Sequence, residues 1–600
     1  MKEISSFAAL SLFAERARAV RSDFVLNADN IESVTNICTQ LDGLPLAIEL
    51  IAARVRLMSP QALLERLSGQ FTLYADGMRA VSARQKTLHG AIAWSYDLLS
   101  PEEQKLFAGL SVFVSGFTLE TAESIFSRTV IDKSVADLIA SLLDKSLLQR
   151  TFDARSKPRF TMLVTIQQFA LERLTHMGEE AEISNWHLKY FVDLAERAEL
   201  ALKGPAQVEW LARLKSERDN LRAALGWAAE SKNIEAGLYI AGRLRAFWRM
   251  RDLREGERWL VEFINRPESH SHPMALAKAL YAHGSILWQL QKFSEAHNAA
   301  EECLAISRAC GDRQSEIDGL YLVGSIMQHL DTPERKEEIE QEALALAKSL
   351  GDRWRQAEVL ADLGWDHRDH LRARSYWEEA VALYREVGDL NSLVDLLGAL
   401  GNLELLYGDI ESAQERLEEA FQLNRQMNNQ AVSGNFFAAL SKIASIKGDF
   451  EKGRSFLEEE MKITEESGDR MQYLWARTHL GHLALRQGNL SEARDILIET
   501  SRNFFSDKVD IGVVFNLEGM ASLYVAVNKL EQAARLIGWS DAARQKIGDP
   551  RPPIEQVDVD RDIATCLAMM GELAFSDTYE EGRTMRMEQA IAYALEDARS

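Results

Sequence analysis

Three short stretches carry residue types from which a catalytic or metal site could be assembled. Asp366-His367-Arg368-Asp369-His370 sets two imidazoles three residues apart beside carboxylates, the donor set of a small metal or acid–base centre. His270 and His272 flank the turn between Pro267 and Pro273, without a third donor nearby in sequence. Leu142-Leu143-Asp144 has the apolar run and acid of a magnesium-holding strand, yet follows no phosphate loop. Such a loop needs a glycine-rich turn for the phosphates, a lysine for their charge and a hydroxyl for the metal. The sequence contains no Gly-Lys pair, so the loop cannot be written. Residues 366–370 are therefore read as the polar turn of a trimmed repeat, the two histidines as loop, and no metal is expected. No Ser/His/Asp, Cys/His or paired-carboxylate arrangement stands out. The chain is read as non-catalytic, with no cofactor expected.

Cys38, Cys303, Cys310 and Cys566 are too scattered for a zinc site or a disulfide framework. They are expected to be small buried residues in a reducing compartment, with Cys303 and Cys310 on one helix face. A net charge of −22 argues against a general nucleic-acid binder. Runs such as Glu458-Glu459-Glu460 read as solvated helix faces. Arg243–Arg251 mixes cations with aromatics, but helical spacing lines up Leu244, Phe247, Trp248 and Arg251 as a core stripe rather than a base-stacking surface. No window approaches the roughly twenty apolar residues of a membrane span, and Met1-Lys2-Glu3-Ile4 opens no signal peptide. A cytoplasmic protein is expected.

The elements that must position any site are helical. Gly311-Asp312, Gly351-Asp352, Gly388-Asp389, Asn428-Asn429 and Gly468-Asp469 recur at steps of roughly forty residues, the signature of a solenoid. Gly408-Asp409, Gly448-Asp449, Gly488-Asn489 and Asn528-Lys529 sit half a period away. Each repeat is then helix, turn, helix, turn, with Gly or Asn ending helices in the left-handed conformation. Leu400-Gly401-Asn402-Leu403 matches Leu480-Gly481-His482-Leu483, and Ala413 with Leu417-Glu418-Glu419-Ala420 matches Ala493 with Leu497-Ile498-Glu499-Thr500. The pattern resembles the tetratricopeptide class in a longer variant. The prolines at 550, 552 and 553 end it, and the remaining residues are expected to form two or three helices capping the last apolar face.

At the other end, residues 8–20 read as an amphipathic helix with Leu12, Phe13, Ala17 and Val20 inward. A more specific signal follows. Leu41-Asp42-Gly43-Leu44-Pro45-Leu46-Ala47-Ile48-Glu49-Leu50 comes after a helix starting near Asn30, expected to be capped by Asn27 or Asp29. Thr87–Ser100, Phe107–Phe113, Leu142–Leu148 and Arg159–Leu163 follow in order. Together they resemble the helical and winged-helix domains of the STAND-class (NB-ARC-type) ATPases, with Leu142–Leu148 as the last helix and Arg159–Leu163 in the wing. The resemblance implies a nucleotide-proximal role for Gly43, Leu44 and Pro45, and a nucleotide-watching histidine motif near the wing. Met162-Leu163-Val164 stands at that motif, and Leu163 can bond no phosphate. It also implies that the αβ ATPase core would lie before Met1, so that ATP or ADP and magnesium enter only with such a domain. In the family the winged helix is an internal clamp. Arg150, Arg155, Lys157 and Arg159 cluster where the wing falls, but acids and bases nearly cancel over 84–176, so DNA binding is not expected.

The sequence thus predicts a mostly all-α chain: a helical domain over 1–80, a winged helix over 81–176, irregular hairpins over 177–273, tetratricopeptide repeats over 274–549 and a helical cap over 550–600. The expected function is the sensor and partner-binding part of a signal-transduction switch, one that regulates transcription. A protein or peptide would sit on the inner, first helices of the repeats, and ligand-induced oligomerisation fits the class. The alternative is an ATP- or ADP-binding STAND ATPase and transcriptional regulator whose phosphate loop is encoded upstream or on another chain.

Overall fold

The structure, a computed structural model, describes residues 2–75, 83–127, 134–153, 156–327, 335–365, 369–427 and 435–596. Its chain contacts divide into two compact units, 1–202 with 206–339, and 340–600 with 203–205.

The first unit opens with α1 (Lys2–Val20), α2 (Ile31–Gln40), α3 (Pro45–Ala52) and α4 (Pro60–Ala75). Phe13 and Ala17 of α1 are buried with Val34, Ile37, Leu41, Ile48 and Leu63. Neither Asn27 nor Asp29 caps α2. Asn30 holds that position, but its side chain turns away from the α2 amides, accepting from the Asn27 amide and donating to the Val25 carbonyl, while Asn27 accepts from the Asp29 amide. Gly43 takes a left-handed φ of +65°, which bends the chain after α2 and delivers Pro45 to the first turn of α3, where its missing N–H leaves no gap.

The winged helix is built from α5 (Ala83–Asp97), α6 (Pro101–Gly109), α7 (Leu119–Phe126), α8 (Val135–Asp144), β1 (Gln149–Phe152), β2 (Pro158–Thr161) and α9 (Val164–Met177). Ser100 and Glu103 form a reciprocal capping box on α6, while Thr118 and Ser134 cap α7 and α8. Here the predicted boundaries shift. The helix read over 142–148 ends at Asp144, because Ser146 at φ +58° turns the chain toward β1, and the expected wing stretch keeps strand geometry only to Thr161. β1 and β2 pair antiparallel from Gln149↔Thr161 to Phe152↔Pro158, and Phe117 bridges to Phe160 from the other side.

Helices α10 (Glu180–Ala201), α11 (Gln207–Ser216), α12 (Arg218–Glu230), α13 (Ile234–Arg243), α14 (Arg245–Arg251), α15 (Leu253–Ile264), α16 (Pro273–Gln289), α17 (Phe293–Cys310) and α18 (Arg313–Met327) follow. One apolar core runs from Leu50 through the winged helix to Met327. Leu244, Phe247 and Trp248 lie inside it as the helical stripe predicts, and the Trp248 indole donates to the Ala241 carbonyl at 3.0 Å. Of the cysteines, Cys38, Cys303 and Cys566 are buried, but Cys310 is exposed. It is the last residue of α17, where the helix ends at the left-handed Gly311, so the expected burial holds for Cys303 but not for Cys310.

After α19 (Lys336–Leu350) the second unit pairs α20 (Arg353–Leu363) with α21 (His370–Val387), α22 (Leu390–Leu406) with α23 (Ile410–Gln426), and α24 (Asn435–Ile446) with α25 (Phe450–Ser467). The series continues with α26 (Arg470–Gln487) and α27 (Leu490–Ser506), then α28 (Asp510–Ala526) and α29 (Leu530–Ile547). Left-handed residues fall within pairs at 408, 448, 488 and 528, and between pairs at 351, 388, 468, 508 and 548. Asn428 and Asn429 lie outside the described residues. A second forty-residue series, Ala300, Glu340, Ala380, Ala420, Glu460, Thr500 and Ser540, runs along the second helices and is fully buried throughout.

Lys508 breaks the glycine pattern, sitting at φ +59° with an exposed side chain. A side chain in this region crowds its own backbone, and glycine does not. Lys508→Gly is expected to raise stability by about 0.5–1 kcal/mol, read from a urea midpoint; no gain would mean the turn holds Lys508 without strain.

The chain ends in α30 (Pro553–Met570), α31 (Glu572–Arg583) and α32 (Met587–Glu596). α31 meets α29 almost backbone to backbone: a Cβ on Gly538 would stand 2.1 Å from the Tyr579 carbonyl oxygen, and one on Gly582 1.9 Å from that of Arg535. Tyr524 of α28 donates to the Ala594 carbonyl of α32 at 3.0 Å.

Candidate partner-binding face of the repeats

The residues marked by resemblance fall on two hydrophobic clusters. Leu44 packs with the core of α1–α4, beside the exposed Pro45, and Gly43 is the turn between α2 and α3. Leu163 precedes α9 and packs against the winged-helix core, while its neighbour Val164 is exposed. Neither Leu163 nor Val164 offers a polar side-chain atom, so these positions do not fit a phosphate.

The wing cations face inward or are already engaged. Arg159 is buried, pairs with Glu217 at 2.5 Å and donates to the Gly116 carbonyl at 3.0 Å. Asn220 closes the network, donating to the same carbonyl at 2.9 Å and to Glu217 at 2.6 Å. Lys157 pairs with Glu209 at 3.1 Å, and Arg150 lies over the Phe152 ring. Arg155 is outside the described residues.

The histidine clusters resolve into structural contacts. Asp369 caps α21 by accepting from the Leu371 and Arg372 amides, and His370 stacks on Tyr407 at 3.8 Å. Residues 366–368 are outside the described residues. His270 contacts Ser269 and His272 faces Glu235 in a short 3₁₀ turn. Among the described residues, no three His, Cys, Asp or Glu side chains converge on a metal-sized point.

The first helices α22, α24, α26 and α28 form the face on which the sequence places a partner. It is already partly covered: α30 turns back across this row of helices. Between α30 and the first helices lies a cavity of about 500 Å³. Its repeat side carries Ser441, Lys442 and Ser445 of α24, His479, His482 and Arg486 of α26, and Phe515 of α28; α30 contributes Glu555, Asp558 and Asp562. The His482 ring stacks on Phe515 at 4.3 Å. Two polar atoms on this wall, Ser445 Oγ and His482 Nε2, have no protein partner, and Ser445 is 7% exposed.

Electrostatics follow from burial. Desolvation lowers His479 to about 4 and His482 to about 3, so both are neutral imidazoles at pH 7. Burial also lowers Lys442, with Arg486 adding repulsion. Asp558 is pushed up by burial, but Lys442 and Arg486 outweigh this and hold its carboxyl below the usual range. Glu555 and Asp562 go the other way, raised by desolvation that their partners do not offset. Beneath them Glu518 accepts from Arg544 at 2.7 Å and from Arg551 at 2.6 Å, all three side chains buried. The cavity wall thus sets neutral imidazoles and serine hydroxyls beside Lys442 and Arg486, which pair with the Asp558 carboxylate, itself also held by Arg561 of α30. The repeat period points to this face but not to α30 upon it.

This architecture defines a class: a winged helix followed by tetratricopeptide-type hairpins. Residues 99–175 match the family described as winged helix-turn-helix domain. The fold is shared with a Signal Transduction ATPase with Numerous Domains (STAND) protein with a tetratricopeptide repeat sensor, PH0952 from Pyrococcus horikoshii, at a TM-score of 0.52 and 15% identity, over 96% of this chain and 74% of that one. The chain is 38% identical over 279 residues to the "Putative HTH-type transcriptional regulator Rv0890c" of Mycobacterium tuberculosis, covering 46% of this chain and 31% of the relative. It is also 38% identical over 186 residues to the "Uncharacterized protein Rv0894" of the same organism, covering 30% of this chain and 47% of the relative. The chain therefore spans only 31% and 47% of the length of these relatives. Among the described residues no helix is long and apolar enough to cross a membrane.

Proposed function

We propose that this chain is a non-catalytic regulatory module, the sensor and partner-binding part of a STAND-type switch that regulates transcription. A protein or peptide is recognised on the first-helix face of the repeats. The observation that carries this reading is the 500 Å³ cavity on that face, with Ser445 and His482 offering unpaired polar atoms to an occupant. The inward-facing Arg159 supports a winged helix that serves the chain's own architecture rather than a phosphate backbone.

A photoreactive phenylalanine analogue at Phe515, compared with one at the exposed Glu415 on a second helix, tests the reading in the protein's own cells. A discrete protein adduct at position 515 and none at 415 is the expected result. Equal adducts at both positions would remove the first-helix face from consideration. In parallel, a fluorescent ADP analogue should show no saturable binding to this chain; micromolar affinity would overturn the cofactor-free part of the reading.

A further inference from the structure

The helix α30 has two unlike faces. Glu555, Asp558, Asp562 and Cys566 recur at three- and four-residue steps, so they form one stripe along it. Each member meets a different part of the repeats. Glu555 accepts from Arg544 of α29 at 3.2 Å; Asp558 pairs with Arg486 of α26 and, at 3.6 Å, with Lys442 of α24. Asp562 accepts from Ser522 of α28, and the Cys566 thiol points at the Leu530 carbonyl. Val557 and Leu567, off the stripe, are 65% and 36% exposed. Amid a chain of net charge −22, Lys442 and Arg486 are a cationic spot on the first-helix face, and both pair with Asp558. Lifting α30 would expose both cations beside neutral imidazoles and serine hydroxyls. The complement of that surface is a carboxylate carried on a helix.

We propose that α30 is the resident ligand of the first-helix face, and that the partner is an acidic helical segment presenting carboxylates at the same steps, which docks by displacing α30. This rests on the preceding reading that the face binds a partner. It names the partner's chemistry and the contact that must open first.

The test uses the full chain and a fluorescein-labelled synthetic peptide of residues 553–570. Asp558→Lys sets a cation against Lys442 and Arg486, so the amides of α30 should lose hydrogen-exchange protection. The same variant should bind the free peptide at least tenfold more tightly than the wild-type chain, whose face is filled. A peptide with Glu555, Asp558 and Asp562 replaced by Gln, Asn and Asn should bind at least tenfold more weakly. The reciprocal pair Arg486→Asp with Asp558→Arg should restore protection and shut the peptide out again. If circular dichroism shows that Asp558→Lys disturbs the repeats, Asp562→Asn, which removes one charge and keeps an acceptor for Ser522, takes its place in both measurements. Equal peptide binding to wild type and variant, or unchanged exchange in α30, overturns the proposal; so does full binding by the neutralised peptide. Peptide competition without any natural adduct at position 515 would leave α30 as resident ligand and remove the partner reading. Adducts without competition would do the reverse.

Discussion

Replacing Glu460 by Gln is expected to stabilise the chain by about 3 kcal/mol at pH 7 and about 5 kcal/mol above pH 8, with little change near pH 4.5. Glu460 is fully buried in α25, where desolvation raises its carboxyl to about 8. The Gln472 amide, donating at 2.8 Å, offsets only part of that. A raised carboxyl binds its proton in the folded state while the unfolded chain has released it. Stability is therefore lost as pH climbs from the unfolded value near 4.5 to the folded value near 8, and the loss is complete above that. Gln keeps the acceptor for Gln472 and has nothing to ionise. Thermal unfolding at pH 5, 7 and 9 checks this: the wild-type and variant curves should diverge steadily with pH. Parallel curves would show that Glu460 titrates normally.

The second large effect belongs to the wing. Arg159→Ala is expected to destabilise the chain by about 3–5 kcal/mol, because Glu217 would be left buried without its partner. The Gly116 carbonyl would also lose one of its two donors, keeping only Asn220. Adding Glu217→Gln to Arg159→Ala should recover much of the loss, since it removes the stranded charge while keeping a polar group for Asn220. Urea unfolding of the single and double variants reads both effects. A loss below about 1 kcal/mol for Arg159→Ala would place the arginine in the class of surface ion pairs.

These two residues also show where the sequence stops speaking. The repeat period, the Gly43–Pro45 corner and the Leu244-Phe247-Trp248 stripe are readable because backbone conformation and helical spacing are local properties of the chain. By its neighbours alone, Glu460 belongs to a solvated acidic run. The signal that corrects this is the forty-residue series in which it aligns with Ala300, Ala380 and Ala420, a position that has no room for solvent. Arg159 groups in sequence with Arg150, Arg155 and Lys157 as a basic wing, but its burial depends on Glu217 and Asn220, some sixty residues away. The stripe on α30 has the letters of any solvated helix face. Its partners lie on four other helices, so no local pattern could reveal that it faces the repeats. The candidate cap is legible as helices, not as an occupant.

The connection between α29 and α30 is only residues 548–552, and it is pinned: Arg551 is held by Glu518 and Asp541, with Pro550 and Pro552 on either side. A helix on so short and stiff a leash meets its own docking surface at an effective concentration of roughly millimolar order or above. A free segment of equal intrinsic affinity would need to reach that concentration to occupy half of the sites. A competitor at ordinary cellular levels must therefore reach beyond the footprint of α30, arrive on a scaffold that concentrates it, or first loosen Arg551 from its two carboxylates. The short leash, more than the surface it serves, sets the threshold at which the face changes hands.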